Sequence, residues 1–86
     1  SYIDGIRRKQ MNKIKKIILD YFKKKYEAEF EHNKTQLEIY LEYPVAVGEH
    51  PKHLEDMDML IGKMVEARDK SKMVSDIIKA SNEVQK

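Results

Sequence analysis

Apolar residues recur along the first half of the chain with a helical rhythm. Ile6, Met11, Ile14, Ile17, Ile18, Tyr21, Phe22, Tyr26, Phe30, Leu37, Ile39, Tyr40 and Leu41 return at helical spacing, which collects side chains on a helix surface. No proline lies between Asp4 and Glu42, and Gly5 is the only glycine there. The pattern predicts one helix from about residue 5, just past Gly5, to residue 42, roughly 55 Å long at the α-helical rise. A second pattern is more regular. Met57, Leu60, Met64, Ala67, Ser71, Val74, Ile78, Ser81 and Gln85 alternate steps of three and four, a heptad seam that predicts a helix over about 51–84. Leu54, Ile61, Val65 and Ile77 form a second row that widens the seam. Ala67, Ser71 and Ser81 are small enough for another helix to come close.

Between the two patterns stands Tyr43-Pro44-Val45-Ala46-Val47-Gly48-Glu49-His50-Pro51. Pro44 stops a helix and biases Tyr43 toward extended backbone. Pro51 suits the first turn of the next helix, where its missing N–H costs nothing. Glu55, Asp56 and Asp58 follow near the positive end of that helix dipole. So short a connection, over about 43–50, makes the two helices antiparallel neighbours. The expected fold is all-α: a hairpin of two long helices forming a single domain over 1–86.

Two features of the first helix bear on its partners. At about 100° per residue, the apolar face around Met11 to Phe22 is turned by roughly a third of a turn from that around Tyr26 to Tyr40. The helix is therefore expected to meet one neighbour near its start and another near its end. Asn33, followed three residues later by Gln36, has the form of a capping box that would open a separate helix; a continuous helix is the preferred reading. Gly62 sits inside the second helix, where it costs about 1 kcal/mol relative to alanine.

Two such helices bury one seam and leave much of each stripe uncovered. A four-helix arrangement of two hairpins covers more, so a homo-oligomer is expected, a dimer first. Met57, Leu60, Met64, Ala67, Ser71, Val74 and Ile78 are the candidate oligomer seam. An acidic residue at Met64 or Ile78 is expected to disrupt folding and assembly together.

Charge sharpens the picture. The net charge of +2 over 86 residues hides a segregation. Residues 1–25 carry nine basic and two acidic side chains, residues 26–60 two and nine, and residues 61–86 six and four. Folded as a hairpin, the acidic segment forms the closed tip and the basic N-terminus lies at the open end. Acidic tip against basic end then controls orientation between copies. Closed dimers and open stacks satisfy the same charges. Arg7, Arg8, Lys9, Lys13, Lys16 and Lys23 form a candidate nucleic-acid face; Lys9, Lys13, Lys16 and Lys23 lie opposite Ile14, Ile18 and Tyr21. A basic amphipathic helix also suits a membrane surface.

Other chemistry is thin. There is no cysteine and no glycine-rich phosphate loop, and the serines have no histidine near in sequence, so no enzyme is expected and no cofactor. Glu29 and His32 have a spacing seen in carboxylate metal bundles, with Glu66 at a matching height, but the inward carboxylate set is incomplete and no metal is expected. Tyr40, Tyr43, Val45, Val47 and His50 form a candidate partner-binding tip. The longest uninterrupted apolar run is Ile17-Ile18-Leu19, far short of a membrane span, and the first residues lack a signal-peptide core; a cytoplasmic place is expected.

The stretch from Tyr40 to Pro51, with Leu54 and the turn Met57 to Leu60 after it, resembles a pattern in small helical-hairpin proteins of large tailed phages, those of marine cyanobacteria above all. The resemblance covers about residues 37–66 and brings no catalytic residues. It implies a phage-encoded protein of the host cytoplasm or the virion. Together the readings point to a non-enzymatic assembly or adaptor module, with nucleic-acid binding by the first helix as the alternative.

Overall fold

A computed structural model describes residues 2–43 and 51–84. It is an all-α helical hairpin, with no strand among the described residues. Helix α1 spans Tyr2–Glu42 and helix α2 spans Pro51–Val84. They pack side by side into a rod whose principal extents are 70 × 16 × 16 Å. Its radius of gyration, 19.7 Å, far exceeds the roughly 12 Å of a compact domain of this length.

Helix α1 ends where proline chemistry predicts. Its last residue is Glu42, and Tyr43, the residue before Pro44, is no longer helical. The Tyr43 N–H donates to the Tyr40 carbonyl at 3.2 Å, a tightened last turn that satisfies one carbonyl left over at the helix end. Helix α2 opens on Pro51 as expected. Two expectations need correction. Helix α1 begins at Tyr2, so Gly5 is inside it, with no positive backbone φ. The first turn of α2 holds no acidic residue; Glu55, Asp56 and Asp58 fall one turn further on, where the dipole is weaker.

Helix α1 is unbroken at Asn33. Instead of capping a second helix, Asn33 lies 9% exposed in the middle of α1, and its Nδ2 donates to the Glu29 carbonyl at 2.7 Å. That bond to the preceding turn satisfies part of the amide within the helix. Asn33 also continues an inward row of half-buried residues, Tyr26, Phe30, Leu37 and Tyr40.

The heptad seam of α2 faces α1. Ala67 is 2% exposed, and Leu60 and Val74 are the other buried apolar residues among those described. Met57, Met64, Ser71, Ile78 and Ser81 are half-buried beside them. The small Ala67 lets the helices approach closely, as its size predicts. No large side chain is fully buried among the described residues, so the hairpin has a seam and no core.

Gly62 lies on the solvent side of α2, and a Cβ built there meets nothing within 4 Å. Close packing inside the hairpin is not its reason. Gly62→Ala is expected to raise stability by about 0.5–1 kcal/mol through helix propensity, read as a higher melting temperature.

Candidate functional site

The outer surface carries the site, because the inner surface is so narrow. Over residues 12–26 of α1 the half-buried positions are Leu19, Phe22, Lys23 and Tyr26. Ile14, Ile17, Ile18 and Tyr21 lie on the side away from α2 and remain 48% to 61% exposed. Their spacing, i, i+3, i+4, i+7, is a complete amphipathic stripe with no partner among the described residues. Three rings mark where the apolar face turns from outside to inside. Tyr21 meets Phe22 edge-on at 5.2 Å between centroids, and Phe22 stacks on Tyr26 at 6.0 Å. Tyr26 is half-buried and lies under the Lys70 ammonium of α2, 5.5 Å from its centroid.

Lysines surround the stripe. Exposed Lys24 and Lys25 follow Tyr21 by one turn, and exposed Lys13 and Lys15 edge the stripe at Ile17 and Ile18, so Lys13 borders it and does not lie squarely opposite. Lys24 bridges Asp20 at 3.0 Å, which leaves the neighbourhood strongly basic. On α2 a second outer row, Leu54, Ile61 and Val65, is 42% to 56% exposed. Asp58 sits within that row, and Glu55 and Asp69 flank it, all exposed.

Three of the candidate nucleic-acid residues come together. Lys13, Lys16 and Lys23, with Lys15 and Asp20, line a cleft of about 530 Å³ at the open end of the hairpin. Leu19 and Ile78 give it apolar wall, and Asn12, Ser81 and Asn82 polar wall. The sequence singled out these lysines by their side of the helix. It missed Lys15 and the α2 wall, because Ser81 and Asn82 reach the cleft only through the hairpin turn. The side chains of Arg7, Arg8 and Lys9 lie outside the described residues.

The candidate oligomer seam, Met57, Leu60, Met64, Ala67, Ser71, Val74 and Ile78, lies between the two helices of one chain. Among the described residues the apolar surface left for a further contact includes the α1 stripe and the outer α2 row, Ile77 among it, which the sequence pattern gave as the rotated face and the second row; Ile39, Leu41, Met59 and Met73 are exposed as well. Asn33 was missed as an inward residue. Its signal was its place three residues after Phe30 and four before Leu37.

At the tip, Tyr43 is exposed and Tyr40 is half-buried. The Tyr40 hydroxyl donates to the Asp56 carboxylate at 3.2 Å, and its ring lies 5.4 Å from that of His53. Val45, Val47 and His50 lie outside the described residues. Partial burial first, then the Asp56 charge and hydrogen bond, push the Tyr40 phenol above its ordinary pKa. A phenol raised on folding adds stability below its unfolded pKa and loses it as the pH climbs through the folded value. Asp56→Asn is expected to bring the Tyr40 titration back toward the ordinary tyrosine range, read by ultraviolet absorbance against alkaline pH. An unchanged titration would mean that the Asp56 contact does not hold the phenol.

Glu66 and Lys70 pair at 2.9 Å along α2, which holds the Glu66 carboxyl below its usual range and the Lys70 ammonium above its own, through the hydrogen bond first and charge second. Both are open to solvent, so the pair adds little stability. Glu29, His32 and Glu66 do not converge, and among the described residues no group of three histidine or acidic side chains is placed to hold a metal ion. Among the described residues no helix is long and apolar enough to cross a membrane. Comparison with protein-family models, curated proteins and solved structures found no match for this chain.

Proposed function

We propose that this chain is a non-enzymatic interaction protein, a helical hairpin that associates with further copies of itself and works as an assembly or adaptor module. One observation carries the reading: Ile14, Ile17, Ile18 and Tyr21 form a complete helical stripe on the side of α1 away from α2. The accessible surface supports it. The chain exposes 7254 Å², whereas a compact monomer of its 10.2 kDa mass exposes about 5,300 Å². Contiguous exposed apolar surface on a small protein marks an interaction face. Sedimentation equilibrium in the tens-of-micromolar range tests it. A mass above that of one chain is expected, and a strict single-chain mass overturns the reading.

The lysine-lined cleft favours one second reading, a polyanion such as nucleic acid held by Lys13, Lys16 and Lys23. Phosphate contacts of this kind weaken steeply with salt. Gel shifts with single- and double-stranded oligonucleotides, repeated on the triple alanine variant of these lysines, test it. Retention of DNA or RNA that survives the variant removes the cleft from consideration.

A further inference from the structure

The charges around the outer apolar faces say more than that copies associate; they say which surface meets which. The stripe on α1, Ile14 to Tyr21, is set among exposed lysines, of which Lys24 is bridged to Asp20. Laid antiparallel on the same stripe of another copy, it would bring two lysine clusters together, and like charges facing each other across an interface oppose association. The outer row of α2 has the opposite border toward the tip: Asp58 interrupts Leu54, Ile61 and Val65 with Glu55 beside it, while at the far end of the row Asp69 stands next to Arg68. Both faces are apolar, both are exposed, and their borders carry opposite charge.

We propose that the α1 stripe of one copy docks on the α2 row of a second copy, so that unlike faces pair head to tail. The proposal rests on self-association as the function of the chain. The α1 stripe lies toward the open end of the rod and the α2 row toward the tip, about 28 Å apart along it by the helical rise. They also lie on different sides of the rod, since Ile14 and Tyr21 point away from α2 while Leu54 and Ile61 lie one step around from the seam residues His53 and Leu60. A copy that engages a neighbour through one face therefore keeps the other free, the condition for heterologous growth. The areas agree. A standard contact removes about 800 Å² from each partner, so a copy with both faces engaged loses about 1,600 Å². Its surface exceeds that of a compact protein of its mass by roughly 1,900 Å².

Unlike faces make a test that like faces cannot pass. In one variant Ile14 and Ile18 become glutamine; in the other Ile61 and Val65 do. All four positions are exposed, so each variant is expected to keep the parent's helical circular dichroism. Each alone has one working face and nothing to receive it, and is expected at the single-chain mass. Mixed in equal amounts, they are expected to form a one-to-one complex of twice that mass and to stop there. Two results overturn the proposal while leaving self-association intact: a parent that assembles although the mixture does not, or an Ile61/Val65 variant that assembles as the parent does. A parent that stays single in solution yet co-sediments with phosphatidylserine-containing vesicles, in a way the Ile14/Ile18 variant does not, overturns both readings and makes the stripe a lipid-surface face.

Discussion

Ala67→Asp is expected to unfold the hairpin. At 2% exposure Ala67 is more enclosed than Leu60 and Val74, the other buried apolar residues among those described. A carboxylate there is shut off from water, and Lys70, one turn on, is already paired with Glu66; a poorly paired buried charge costs several kcal/mol. Two helices joined along one narrow seam have little stability in reserve, because long helices in water depend on packing. Loss of most helical circular dichroism at neutral pH is the expected result. Ala80→Asp, on the exposed side of the same helix, is the control and should shift stability by no more than about 0.5 kcal/mol. The structure also separates two substitutions that the heptad pattern treats alike. Ile78 opens on the cleft lined by Lys13, Lys16 and Lys23, so Ile78→Asp gains nearby cations and should be milder than Met64→Asp. Equal damage from Ala67→Asp and Ala80→Asp would mean that the seam does not hold the rod together.

Asn33→Asp is expected to cost about 2–3 kcal/mol, because it turns a donor into an acceptor at constant shape. The Asn33 amide donates to the Glu29 carbonyl at 2.7 Å; a carboxylate would set two acceptors against each other in a nearly buried position. Burial and the lost donor raise the folded-state pKa of the new acid above its unfolded value. The folded form then holds the proton more tightly, so the deficit is complete above the folded pKa, shrinks as the pH falls through it, and is smallest below the unfolded carboxylate value near ~3.9. Urea unfolding at neutral and acidic pH checks this: the gap from the parent should close in acid. Asn33→Leu should go the other way and stabilise the hairpin, since an apolar side chain there leaves no amide to satisfy. A gap that persists unchanged into acid would show that the carboxylate charge is not its source.

What could be read in the sequence and what could not divide along physical lines. The seam of α2 was legible because residues 57–81 repeat with one period and one orientation. The bracketing prolines made the end of α1 and the start of α2 legible, since proline acts on its immediate neighbours. The turning of the apolar face between Ile14 and Tyr26 was also legible, as a change of phase. Asn33 was ambiguous because asparagine serves caps and helix interiors alike, and only the neighbouring helix decides between them. The start at Tyr2 had a local signal, Ser1 with Asp4 three residues later, the form of a capping pair, but Gly5 drew the expected start inward. The cleft was half legible: its lysines share a helix side, but Ser81 and Asn82 join them from 58 to 69 residues away, which no local pattern records.

The seam of this rod is also a zipper with a direction. Only sixteen residues separate Tyr40 from its partner Asp56, whereas Leu19 and Ile78, which share the cleft, are about sixty apart. Closing the longer span without the shorter one costs roughly 1 kcal/mol more in chain entropy. The first contacts of folding therefore form beside the turn and spread toward the termini, and opening runs in reverse. Amide protons of the Leu19–Ile78 end should exchange with solvent sooner than those near Leu37 and Leu60. Whatever grips the stripe on α1 thus grips the end that comes apart first, and so governs how long the whole molecule stays shut.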